Sequence, residues 1–123
     1  NFKIYNFHLG NLKNQRGSFI FFYKYFKNWK EVTLSFHEIS ERFDVGKVLN
    51  EKQISLSLNY KPTEMIFAYL NNQEFLIESI KKIGKEEGFL YKNVEKLNYV
   101  PSFLNLLRDI LKLMFKKLAI FKS

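Results

Sequence analysis

Apolar and polar positions alternate through the first half of the chain and then change period. Val32, Leu34 and Phe36 alternate with Thr33, Ser35 and His37, and Ile54, Leu56, Leu58 and Tyr60 alternate with Ser55, Ser57 and Asn59. A period of two belongs to half-buried strands. Residues 2–9 and 19–27 are strand-like in composition and flank a cluster from Gly10-Asn11 to Arg16-Gly17, the mark of a hairpin loop. This pattern predicts about four antiparallel strands by residue 61. The polar stretch 40–52, which contains Gly46, reads as a loop with at most a helical turn near Ser40 to Asp44.

The second half has helical spacing. Pro62-Thr63 resembles a helix start with Thr63 as cap, followed by an apolar stripe of Met65, Ile66, Phe67, Tyr69 and Leu70. Asn71-Asn72 breaks or re-caps the chain before Phe75, Leu76, Ile77, Ile80 and Ile83, and Gly84 or Gly88 suits a C-cap. Residues 89–91 read as a short strand. Pro101 suits a first helical position, and a helix from there to residue 121 would be about 30 Å long. Its polar residues Asn105, Arg108, Asp109, Lys112 and Lys116 fall on one narrow stripe, and nearly everything else in it is apolar. One sheet face cannot cover so wide an arc, so this helix is expected in the core, against another chain or on a membrane.

The expected fold is therefore α+β in a single domain, 1–123. An N-terminal antiparallel sheet (1–61, mainly β) is followed by C-terminal helices (62–123, mainly α), the last long and strongly apolar. The polar side of the sheet, with Thr33, Ser35, His37, Ser55, Ser57 and Asn59, has no fixed charge. Solvated surfaces accumulate Lys and Glu, so this face is expected to be at least partly covered.

Composition narrows the class. A chain of 123 residues with 46% hydrophobic positions and no cysteine fits one folded domain. It excludes disorder, a disulfide scaffold, a thiolate metal site and a Cys nucleophile. No apolar run approaches the roughly 20 residues of a membrane span. The opening Asn1-Phe2-Lys3-Ile4 lacks an initiator Met and an apolar signal core, so it reads as a trimmed end, and the interior of a cell or organelle is the expected location. Phe, Tyr, Met, Ile, Asn and Lys make up half the chain, which suggests an AT-rich genome and assigns part of the lysine excess (17 Lys to 3 Arg) to codon usage.

Charge is uneven. Residues 1–30 hold Lys3, Lys13, Arg16, Lys24, Lys27 and Lys30 with no acid, and residues 102–123 carry +4, while the middle is nearly neutral. Between residues 21 and 30 aromatic and basic residues interleave. On a strand Tyr23, Tyr25 and Trp29 share a side, which is what stacking on single-stranded nucleic acid uses.

Catalytic motifs are few. His37-Glu38 with Glu41 makes an H-E-x-x-E run lacking the second histidine of a zinc motif, and His37 reads as a solvent-facing strand residue. Ser35, His37 and Asp44 make a triad only on paper. Gly84-Lys85-Glu86-Glu87-Gly88 is neither a P-loop nor a dinucleotide fingerprint.

Two resemblances can be placed. Phe7-His8-Leu9-Gly10-Asn11-Leu12 looks like the first RNA-contacting strand of RNA-recognition-motif domains, and Arg16 to Phe21 faintly like the second. A helix and a strand separate those two in that family, whereas only Lys13-Asn14-Gln15 intervenes here. Glu86-Glu87-Gly88-Phe89 followed by Tyr99-Val100-Pro101 and an apolar basic helix is similar to the tail of class I methyltransferases, without their glycine-rich cofactor strand.

The reading that follows is a non-enzymatic binding module for RNA or another polyanion, part of a ribonucleoprotein, acting through Lys13, Arg16, Lys24, Lys27 and Lys30 with Tyr23, Tyr25 and Trp29. No catalytic residue, metal or cofactor is expected. The first alternative is attachment to a membrane surface or a protein partner, including a second copy, through helix 102–123 with Arg108, Lys112, Lys116 and Lys117. The second is a fragment of an enzyme or a small-ligand carrier.

Overall fold

The computed structural model describes residues 2–17, 20, 29–42, 44–55, 67–85, 87–97 and 102–120. Three strands form one antiparallel sheet in the order β1-β2-β3: β1 is Tyr5–Leu9, β2 Glu31–Glu38 and β3 Val48–Ser55. A 3-10 turn, Leu70–Asn72, leads into helix α1, Gln73–Lys81, and helix α2 is Phe103–Ile120.

β2 is the central strand, and Val32 to His37 are all buried. Its odd and even residues are covered by different things. Leu34 and Phe36 join Leu49, Ala68 and Phe75 in the main core, with Tyr5, Phe7 and Leu9 of β1 packed against them. Phe7 is the centre of this face. Its ring lies 4.5 Å from Phe36, 5.8 Å from Tyr69 and 6.3 Å from Phe75. Helix α1 closes this side with Phe75, and Ser79 beneath it accepts from Asn50 of β3 at 3.0 Å. A smaller cluster joins Ile20 and Val32 with Trp29 packed beside them.

Three expectations are corrected. The described sheet has three strands, not about four. The third begins at Val48, inside the stretch read as a polar loop, because an edge strand tolerates the run Asn50-Glu51-Lys52-Gln53 provided its first two residues are apolar. A register shift opposite Phe36 and His37 lets both Val48 and Leu49 point inward. The expected strand at 19–27 lies outside the described residues except for Ile20, which is helical, and residues 56–66 also lie outside them.

The last helix is not the long, strongly apolar element that was expected. Asn105, Arg108, Asp109 and Lys112 interrupt its apolar positions, and Phe103, Leu104, Leu107, Ile110, Leu111, Met114 and Phe115 are exposed. None of its described side chains belongs to either core cluster. Among the described residues, no helix is long and apolar enough to cross a membrane.

Candidate active site

The second face of the sheet is polar and buried. Of the buried polar side chains described, His8, Gln15, Arg16, Thr33, Ser35 and His37 gather here, and only Ser79 lies elsewhere. A buried polar cluster of this size is more informative than any exposed charge, because each member must be matched with a partner. The alternation of β1 builds it. Tyr5, Phe7 and Leu9 turn to the core, so Asn6 and His8 turn to the opposite face. Cross-strand pairing then places Asn6 beside His37 and His8 beside Ser35.

Two close backbone approaches hold the histidines. Gly10, at φ +145°, follows β1, and a Cβ there would lie 2.1 Å from the Gln15 carbonyl oxygen and 2.9 Å from His8 Nε2. Only glycine leaves room for His8 to donate from Nε2 to that carbonyl at 2.6 Å. The bond assigns the proton to Nε2, which leaves Nδ1 as the acceptor. Nδ1 faces Asp44 Oδ1 at 3.6 Å. Gly46 does the same for His37: a Cβ would sit 1.7 Å from the Glu38 carbonyl oxygen, to which His37 donates from Nδ1 at 3.0 Å. His37 Nε2 then accepts from Asn6 Nδ2 at 3.4 Å. Burial lowers the pKa of His37 below its ordinary value of 6.5, outweighing the Glu38 carbonyl bond that raises it, with neighbouring His8 lowering it further and Asp44 opposing. His37 is therefore a neutral acceptor at pH 7, and its 1% exposure corrects its reading as a solvent-facing residue.

Asp44 is positioned by Arg16 and Gly17. It adopts φ 50°, a left-handed conformation that aspartate tolerates better than most residues. Gly17 N donates to Asp44 Oδ2 at 2.7 Å, and Arg16 Nε donates to the Asp44 carbonyl at 3.0 Å. Arg16 Nη1 donates to the Glu95 carbonyl at 2.6 Å. Ser40 also donates to the Val45 carbonyl, closing the 40–45 loop. A cavity of about 470 Å³ opens on this face, lined by Asn6, His37, Ile39, Ser40, Glu41 and Asp44, with His8 directly behind Asp44. The set joins an amide donor, a carboxylate and an imidazole: a hydrogen-bond donor for developing negative charge and a pair able to accept a proton.

The residues picked from the sequence for nucleic acid are placed differently from one another. Lys13 and Lys30 are exposed. Arg16 is 7% exposed and directed at backbone carbonyls. Trp29 packs on the small cluster, while Tyr23, Lys24, Tyr25 and Lys27 lie outside the described residues. In the last helix Arg108 pairs with Asp109 at 3.0 Å, Lys112 is exposed, and Lys116 and Lys117 lie within the helix. The structure thus does not assemble one aromatic and basic surface from the described members of that set. Sequence reasoning missed Asn6 and His8. The signal for them was their separation by two within a strand whose other positions are aromatic or aliphatic. Among the described residues no group of three or more His, Cys, Asp or Glu could hold a metal ion.

No protein-family model matches the sequence, and no curated protein matches it. The fold does have counterparts among solved structures. A variant of HypX from Aquifex aeolicus superposes with a TM-score of 0.67 at 15% identity, over 88% of this chain and 22% of that one. An N-formyltransferase from Helicobacter canadensis, solved with folinic acid and dTDP-3-aminofucose, gives 0.64 at 20% identity over 87% of this chain and 46% of that one. WlaRD, a sugar 3N-formyltransferase solved with dTDP and 5-N-formyl-THF, gives 0.63 at 18% identity over 87% and 45%. The chain therefore spans less than half the length of these three structures. The likeness overturns the reading as an RNA-binding part of a ribonucleoprotein: the chain shares its fold with part of these N-formyltransferases, and the alternative of an enzyme fragment fits better, while nothing supports an amphipathic binding helix.

Proposed function

We propose that this chain carries the catalytic part of an N-formyltransferase, moving a formyl group from a reduced-folate donor to an amine. The observation that carries the reading is Asp44 on the cavity wall, backed by His8, with Asn6 beside it on the same face. HypX has also been solved with tetrahydrofolic acid, and the two N-formyltransferases above with formylated folates. A cavity of about 470 Å³ lies within the usual range of roughly 300–1,000 Å³ for small-molecule sites. It would take a flat heterobicycle against Ile39 with the reacting carbon near Asn6.

Each residue has a defined part. As the amine attacks the formyl carbon, the carbonyl oxygen gains negative charge, and Asn6, held by its bond to His37, donates to it. The amine becomes cationic and gives up a proton to the Asp44–His8 pair, where Nδ1 holds it against the carboxylate. The donor nitrogen leaves with its bonding electrons and takes that proton back, which restores the pair. His8, with its other nitrogen committed to the Gln15 carbonyl, accepts only at Nδ1.

The test is turnover of a formylated tetrahydrofolate with a dTDP-linked amino sugar, followed by tetrahydrofolate release. Wild-type protein should transfer the group, and His8→Ala should lower kcat by about 10²–10⁴. Absence of both folate binding and transfer in the folded wild-type protein would sink the reading.

A further inference from the structure

We propose that Tyr91, acting through Glu51 and Ser35, is a positioning residue for His8. A row of paired positions crosses the polar face of the sheet: His8 on β1 is opposite Ser35 on β2, and Ser35 is opposite Glu51 on β3. Tyr91 extends the row beyond the edge strand. The segment that carries it is anchored by the bridge between Phe89 and Val48, and the Phe89 and Tyr91 rings meet edge to face at 5.1 Å. From there the Tyr91 hydroxyl donates to Glu51 Oε2 at 2.6 Å.

The far end of the row reaches the notch in which His8 sits. Ser35 is fully buried, and its hydroxyl lies 2.8 Å from the Gly10 carbonyl oxygen and 2.9 Å from Glu51 Oε1. A serine hydroxyl has a single proton, so these two acceptors compete for it. Gly10 is the residue whose missing side chain makes room for the bond from His8 Nε2 to the Gln15 carbonyl. Its own N–H donates to the Thr33 carbonyl at 2.6 Å, so Ser35 completes its attachment to β2.

Tyr91 decides the competition. By donating to Glu51 it meets part of the carboxylate's demand for protons and leaves the Ser35 hydroxyl to the Gly10 carbonyl. Burial, reinforced by Glu51, raises the phenol's pKa well above its ordinary 10.0, so the hydroxyl stays a donor throughout the working range. Without it, Glu51 draws the Ser35 proton, Gly10 loses a tether, and the bond that keeps the proton on His8 Nε2 weakens. Tyr91 lies 83 residues beyond His8 in the chain, yet it would influence which nitrogen of that ring is free.

The ring nitrogens of His8, read by ¹⁵N NMR across pH on the intact protein, test this without reference to the reaction. Tyr91→Phe should move the His8 signals toward a mixture of the two neutral tautomers, whereas Glu51→Ala, which removes the competing acceptor, should leave them at the wild-type pattern even when combined with Tyr91→Phe. Glu51→Gln should also keep the wild-type pattern, because its amide still accepts from Tyr91 and donates to Ser35. The kinetic arm rests on the formyl-transfer reading: Tyr91→Phe should lower kcat about tenfold with KM unchanged. A folded Tyr91→Phe protein whose His8 nitrogen shifts match wild type, or a folded Glu51→Ala protein whose shifts depart from it, would overturn the proposal. Shifted His8 signals in a protein that transfers no formyl group would uphold the positioning role and remove the proposed reaction instead. Ser35→Ala is a harsher variant, and the single-atom change in Tyr91→Phe keeps the test valid if Ser35→Ala does not fold.

Discussion

The two faces of the sheet use the same three strands for opposite purposes. One face buries Phe7, Leu34, Phe36 and Phe75, whose contacts are non-directional and roughly additive in area. The other buries His8, Ser35 and His37, each with a specific acceptor or donor. Removing a methylene from the first leaves a void. Removing a partner from the second leaves an unsatisfied polar atom, which costs about 1–3 kcal/mol and misplaces whatever that atom was holding. Stability should therefore reside mainly on the apolar face and chemistry on the polar face, and variants that separate the two quantities test that division.

The largest effect belongs to Asp44→Asn, which keeps the shape but cannot balance a proton on His8. The proposed formyl transfer should fall by about 10²–10⁴ in kcat, with a melting temperature close to wild type. Phe36→Ala inverts that result. It should cost about 3–5 kcal/mol in urea unfolding, while activity per folded molecule survives. If Phe36→Ala abolishes activity in protein shown to be folded, the faces are not independent.

Gly46→Ala lies on the boundary. Its Cβ would overlap the Glu38 carbonyl oxygen, so the backbone beneath His37 must shift. A stability loss of about 1–3 kcal/mol should appear together with reduced turnover, measured on the same preparation.

The smallest effect is a pH dependence. The folded pKa of His37 is depressed, so between that value and 6.5 the unfolded chain binds a proton that the folded chain does not. Unfolding free energy should rise with pH through this window and lose the His37 dependence above 6.5. Acidification below 6.5 should destabilise wild type more than His37→Gln, as read from urea midpoints at several pH values. Equal slopes for the two proteins would show that His37 is not held neutral.

How far the sequence revealed each face follows from the same contrast. β2 was legible because its alternation is complete; of the uncharged face expected to be covered, Thr33, Ser35 and His37 are buried, Ser55 is exposed, and Ser57 and Asn59 lie outside the described residues. The start of β3 was hidden because Asn50, Glu51, Lys52 and Gln53 satisfy an edge strand without resembling one. Asp44 and His37 could be singled out as chemistry-bearing types. Their real partners could not, since Asn6 lies 31 residues before His37 and His8 36 residues before Asp44, and they meet only in the folded sheet. Arg16 looked like a phosphate contact because a sequence shows its charge but not the carbonyls that claim it. The last helix was over-read: an apolar majority said nothing of which residues the core would take.

Arg16 has a further consequence for the order in which the molecule assembles. Its two carbonyl partners lie 28 and 79 residues away in the chain, so both bonds require long loops to be closed first. The entropy of closure is lost before such contacts give anything back, and contacts of this range tend to form late. The strands and the Phe7 cluster can collapse while Asp44 is still unanchored. A refolding experiment should then show secondary structure and tryptophan burial returning before catalytic competence, with the delay set by the Arg16 clasp. Arg16→Lys, which cannot span both carbonyls with one planar group, should lengthen that lag more than it lowers final stability. If the proposed reaction holds, a newly made or partly unfolded copy would be compact yet inert, and no molecule would react before its fold had closed.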